Sequence, residues 1–333
     1  MGHGYTKQAA KTVDSLLAID QAKGKNPPPA EINFTTYTLK YNSMYWLQVD
    51  GLYKQWEKTS LKGKIFENTL VLEAHNVISF SIRLNQLPEK FKAGDNLNIS
   101  INKEVHQAKI HSLNDTLRFH LAYTSELKNG KGSWAEGPEK PFWVNKKHNL
   151  QGPIDDAFTS AFIVVKPSGV SKNTMFDQWS KAEMNRFIEQ WRMQFRGDPV
   201  VKLDNEITDA DMSANLIAFG DAQSNKLIAK IKDKLPIKWS ADNISVRNVA
   251  YPAKDHALIM IYPNPLNQKH YIVLNSGFTF REDAYQNNSK QIPMLPDWAV
   301  VDLKTPPDFV HPGKIENAGF FSDQWRLNYL DNE

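Results

Sequence analysis

Apolar positions first recur at helical spacing near the start of the chain. Ala9, Val13, Leu16 and Leu17 share one side of residues 6–19, and Thr6 is placed to cap the start. A helix this short needs a surface to cover its apolar stripe. Gly24-Lys25-Asn26-Pro27-Pro28-Pro29 then leads into a region of period two. Alternating or β-branched runs occur at 32–39, 44–49, 64–66, 69–73, 77–84, 97–101, 105–110 and 117–123. Asp50-Gly51, Ala93-Gly94-Asp95 and Asn129-Gly130-Lys131-Gly132 are turn signals between them. About eight short strands at this spacing predict a β-sandwich.

The pattern changes beyond a connector that holds Gly137-Pro138, Pro141, Phe142, Trp143 and Gly152-Pro153. Residues 161–165 form a short apolar run, and Pro167-Ser168-Gly169 turns the chain. A helix is predicted over 174–196, with Phe176, Met184, Phe187, Ile188, Trp191 and Phe195 as its buried stripe and Gly197 as its stop. Strands are expected at 200–203, 215–219, 257–262, 271–274 and 298–301. A short helix starts at Thr208-Asp209-Ala210-Asp211, and a longer one covers 224–235. Strands alternating with helices predict a mostly parallel sheet covered on both faces, in the manner of flavodoxin-like or Rossmann-like domains. The expected organisation is thus an α+β multidomain chain: a helix in 1–26, a β-sandwich in 27–136, a connector in 137–156 and an α/β domain in 157–333.

Composition narrows the function. The 333 residues leave room for two cores, and 41% hydrophobic with 11% aromatic content indicates a globular protein. A formal charge of +3, with both signs mixed along the chain, gives no electrostatic case for nucleic acid. Cysteine is absent, which excludes disulfides, thiolate nucleophiles and cysteine-based zinc sites. No apolar run approaches the length of a membrane span, and the first residues lack the pattern of a signal peptide.

Several motif classes are excluded by spacing. No two glycines stand four apart, so G-x-S-x-G is absent, and no two histidines stand four apart, so H-E-x-x-H is absent. Gly2/Gly4 and Gly130/Gly132 lack the third glycine of a dinucleotide loop, and Gly132/Gly137 runs into Pro138 rather than a phosphate-binding lysine. No cofactor and no metal is expected.

Candidate chemistry remains in the turns. Ligands in open α/β sheets bind beyond the carboxyl ends of strands. There the chain places Ser168, Gly169, Gly220, Asp221, Ser224, Asn225, Asn264, Asn275 and Ser276. Ser224 is also a helix cap, and these positions suit ordinary turn chemistry as well. Ser276 in Asn275-Ser276-Gly277 is a conceivable nucleophile, with His256, His270 and His311 as available bases. Asp155-Asp156 suits acid–base work or simple capping. His106, His111 and His120 do not share one strand face, so a metal there is disfavoured. Trp134, Trp143 and Tyr45-Trp46 suit a carbohydrate platform or, more simply, packing.

Gly2-His3-Gly4 before a helix, Ala74-His75-Asn76-Val77, Gly152-Pro153-Ile154-Asp155-Asp156-Ala157-Phe158, the Trp- and Arg-rich helix, Leu216-Ile217-Ala218-Phe219-Gly220-Asp221 and Tyr271-Ile272-Val273-Leu274-Asn275-Ser276-Gly277 run through nearly the whole chain. Together they resemble the C-terminal region of bacterial prolyl-oligopeptidase-like α/β hydrolases. The resemblance implies that His3 corresponds to the base of the family's triad, while the elbow serine and the triad acid are missing. It implies an accessory region, inactive alone, that positions substrate or mediates assembly beside an upstream hydrolase domain in the periplasm or outside the cell. The alternatives are a free-standing carbohydrate- or peptide-binding module, or a cryptic serine hydrolase using Ser276 or Ser224.

Overall fold

The computed structural model describes residues 4–24, 27–88, 91–122, 132–137 and 144–327. Strict alternation in β1 (Glu31–Thr36) turns Ile32 and Phe34 inward, and the same period buries Leu61 and Ile65 in β4 (Thr59–Phe66). These strands join β5 (Thr69–His75), β7 (Asn96–Ile101) and β8 (Glu104–Lys109) in a sheet ordered β1-β4-β5-β7-β8. A second sheet orders β10 (Ser133–Glu136), β9 (Thr116–Ala122), β6 (Val77–Arg83), β3 (Leu47–Leu52) and β2 (Ser43–Met44). Side chains of both sheets, Ile32 and Leu61 with Phe80 and Phe119 among them, form one buried cluster. Trp46 and Trp134 belong to it, and the Trp46 indole donates to the Pro29 carbonyl at 2.9 Å. Neither is available as a carbohydrate platform; Trp143 lies outside the described residues.

The second half corrects the expected α/β domain. A seven-stranded sheet orders β12 (Val200–Leu203), β11 (Phe162–Lys166), β13 (Asn215–Ala218), β18 (Asn267–Leu274), β17 (His256–Asn264), β19 (Trp298–Asp302) and β20 (Lys314–Gly319). The first four strands are mutually parallel, but β17, β19 and β20 join antiparallel. The sheet is therefore mixed, not mostly parallel. Only Pro265 and Leu266 separate β17 from β18, a link too short for the crossover that a parallel pair requires. A further antiparallel sheet of β14 (Lys238–Trp239), β15 (Asn243–Val246) and β16 (Val249–Pro252) stands where no strand was expected. The chain is largely β, and a Rossmann-like reading does not describe it.

Helices are few. α1 (Lys7–Lys23) is capped by Thr6, whose hydroxyl accepts from the Ala9 amide at 3.2 Å, and none of its residues is buried. α2 (Thr174–Phe195) starts at Asn173, whose side chain accepts from the Phe176 amide, and buries Phe176, Trp179, Met184 and Phe187. Arg196 in the left-handed region ends it, rather than Gly197. α3 (Lys226–Ile231) is short and buries Leu227, Ile228 and Ile231.

A polar chain joins the two halves at the amino-terminal edge of the parallel strands. Lys40 of the sandwich reaches Asp156 at 3.1 Å, and Asp156 accepts from the Tyr271 hydroxyl at 2.7 Å. That hydroxyl accepts from the Gly152 amide, and beside it the fully buried Lys146 pairs with Asp297 at 2.5 Å. Gly152 has φ +71, and a Cβ there would come within 2.2 Å of Asp297 Oδ1, so both backbone freedom and space require glycine.

Candidate functional site

β11 lies between β12 and β13, and the chain reaches them in the order β11, β12, β13. The chain thus crosses from one side of β11 to the other, and open sheets place ligands beyond the carboxyl ends of their strands at such a point. The loops there are held by the residues singled out from the sequence. Gly220, at φ +107, donates its amide to Asn275 Oδ1 at 2.8 Å and to Ser180 Oγ at 3.0 Å. Asn275 returns its Nδ2 to the Gly220 carbonyl at 3.1 Å. Asp221 accepts from the Ser171 hydroxyl at 2.5 Å, from Ser224 Oγ at 2.8 Å and from the amides of Gln223 and Ser224. Asn225 is fully buried, caps α3 through the Leu227 and Ile228 amides, and donates to the Phe219 carbonyl. The Ser168 amide is bound to Asp204 and the Gly169 amide to the Ser224 carbonyl. These hydrogen bonds clasp the loops at the carboxyl ends of β11 and β13 to one another.

Asn264 is placed elsewhere. Because β17 runs antiparallel to β18, its carboxyl end sits at the opposite edge of the sheet, where Asn264 accepts from the Leu266 amide. Ser276 is buried and its hydroxyl donates to the neighbouring Gly277 carbonyl at 2.9 Å. His256 instead contacts Asp255 at 2.8 Å, and His311 lies 3.8 Å from Asp308. Among the described residues no hydrogen bond links Ser224 or Ser276 to a histidine, and His3 lies outside them. The expected use of either serine as a nucleophile therefore has no base in place.

Asp155 and Asp156 diverge as well. Asp155 accepts from the Thr279 amide at 2.8 Å and from its hydroxyl, and burial holds its carboxyl up at about 6. Asp156 faces Lys40 and Tyr271, and burial followed by the Asp156 charge pushes the Tyr271 phenol well above its ordinary range. The two carboxylates thus share no reacting space. His106 pairs with Glu104 at 3.2 Å, and among the described residues no cluster of three metal-binding side chains forms.

Open space lies one layer outside the loop clasp. A groove of about 740 Å³ runs between the start of α2, the Asp221 turn and the three-stranded sheet, with Lys172, Met175, Asp221, Trp239 and Lys254 along it. Trp239 meets Phe176 edge-on at 5.4 Å between ring centres. Asp221 was visible in the sequence, because a Gly-Asp turn follows an apolar strand. Trp239 was missed, since a strand of two residues carries no readable period, and Lys254 because it sits in the turn between β16 and β17. No family model, no curated protein and no solved structure matches this chain.

Proposed function

We propose that this chain is a non-catalytic binding and assembly region of a serine hydrolase of the prolyl-oligopeptidase kind, with ligand recognition in the groove at the carboxyl edge of the mixed sheet. α1 carries the reading. Its Leu16, Leu17 and Ile19 are 61, 54 and 51% exposed, and no residue of the helix is buried. An isolated helix with an open apolar stripe gains stability from a partner surface. In the resemblance, that surface belongs to the catalytic domain. The serine environments fit the same reading, since Ser224 closes its own turn and Ser276 donates to an adjacent carbonyl. A free-standing peptide- or carbohydrate-binding module would use the same groove but would leave α1 without a role.

The test is labelling of the purified chain with a fluorophosphonate probe, read by intact mass beside a serine hydrolase that labels fully. No adduct is expected. A stoichiometric adduct at Ser224 or Ser276 would overturn the proposal.

A further inference from the structure

We infer that the groove between α2 and the three-stranded sheet takes an acidic peptide segment in extended form; the inference rests on the binding role proposed above and names its ligand class. Charge is the first reason. Lys172 precedes α2, Lys232 follows α3, and Lys254 sits between β16 and β17, so three elements each bring a cation to the groove. Lys232 stands 3.9 Å from Asp233, whereas the ammonium groups of Lys172 and Lys254 have no ion-pair partner among the described residues. Asp221 is the carboxylate among the lining residues; its hydrogen bonds come from neutral hydroxyl and amide donors and leave its charge in place, so it offsets one of the three lysines. The lining therefore has an excess of uncompensated positive charge.

Shape is the second reason. The groove holds about 740 Å³, far more than one oxyanion fills and within the range of sites for extended organic ligands. Cations drawn from separate elements match carboxylates spaced along a chain better than one compact anion. The third reason is the mix of surfaces. Met175, Ala241 and Trp239 give apolar contact beside the lysines, so alternate side chains of the ligand find different partners. β14, which brings Trp239 to the groove, is the terminal strand of its sheet and has no strand partner on its other side among the described residues. An extended peptide recognised by strand addition needs such an edge.

The test is fluorescence anisotropy with the intact chain and a fluorescein-labelled hexapeptide of alternating glutamate and phenylalanine. A second probe replaces each glutamate with lysine, and inorganic phosphate serves as competitor. The acidic probe is expected to bind saturably and to weaken as salt rises, because the contacts are exposed charges. The lysine probe is expected not to bind, and millimolar phosphate is expected not to displace the acidic one. Lys172→Glu with Lys254→Glu is expected to weaken binding by about tenfold or more, and Trp239→Ala by about tenfold with the salt dependence kept. Both lysines are exposed, so unchanged melting of the charge-reversed protein checks its fold. Absence of binding, equal binding of the lysine probe, displacement by phosphate, or full affinity in the charge-reversed protein would each overturn the inference. Any of these without a fluorophosphonate adduct removes only the acidic ligand, whereas an adduct removes the underlying reading.

Discussion

Asp155 shows how a residue's place changes its chemistry. Its residue keeps some contact with solvent, but the carboxyl turns onto Thr279 and is raised from 3.8 to about 6 by burial. The folded state then holds the proton more tightly than the unfolded state between those two values. Stability from this group is greatest below the unfolded value and falls as pH rises through the window, by at most about 3 kcal/mol. Urea denaturation between pH 4 and pH 7 is expected to show this decline, and Asp155→Asn is expected to flatten it. A slope that survives the substitution would assign it to another group. Asp211 has the opposite sign. Lys202 and the Thr208 donors lower it to about 2, so its contribution is present above the ordinary carboxylate value and lost only in strong acid.

At the scale of elements, much was legible and the failures have physical causes. α2 and β12 follow their patterns closely, because a long amphipathic stripe and a bounded β-branched run are strong local signals. β17 and β18 also read as apolar strands, but an all-buried run looks the same in parallel and antiparallel surroundings. The direction follows from the two-residue link Pro265-Leu266, but strands read only over 257–262 and 271–274 leave eight residues between them and hide how short that link is. That reversal also moved Asn264 to the far edge. β20 alternates exposed and half-buried side chains, with Lys314 and Glu316 outward, and offered no apolar run to read. α1 was legible as a helix, and its lack of burial leads to a direct test. Leu16→Lys with Leu17→Lys is expected to leave the Tm within about 1 °C of the parent, as substitutions away from packed surfaces do. A loss of several degrees would show that α1 packs on the rest of this chain.

The whole molecule joins a sandwich to a mixed sheet through few but well-made contacts. Lys40 bonds to Asn149, Asp156 and Thr159, and Asp323 accepts from the Leu52 amide. Trp56 stacks on Phe320 at 6.4 Å. Lys40→Ala leaves the buried Asp156 without its cation and is expected to cost about 1–3 kcal/mol in urea denaturation. An unchanged midpoint would mean that the halves do not rely on this link. The joint lies at the amino-terminal edge of the parallel strands, so the groove at the carboxyl edge faces away from the sandwich contact. No local sequence signal reveals that separation, because it arises from strand order and direction. The groove is the proposed working surface of the chain. Its most direct test is a TROSY titration of isotope-labelled protein with the acidic hexapeptide. Shifts are expected at the Trp239 indole and at the amides of Lys172, Asp221 and Lys254. Shifts confined to the Asn264 edge or to the sandwich, or none at all, would contradict it.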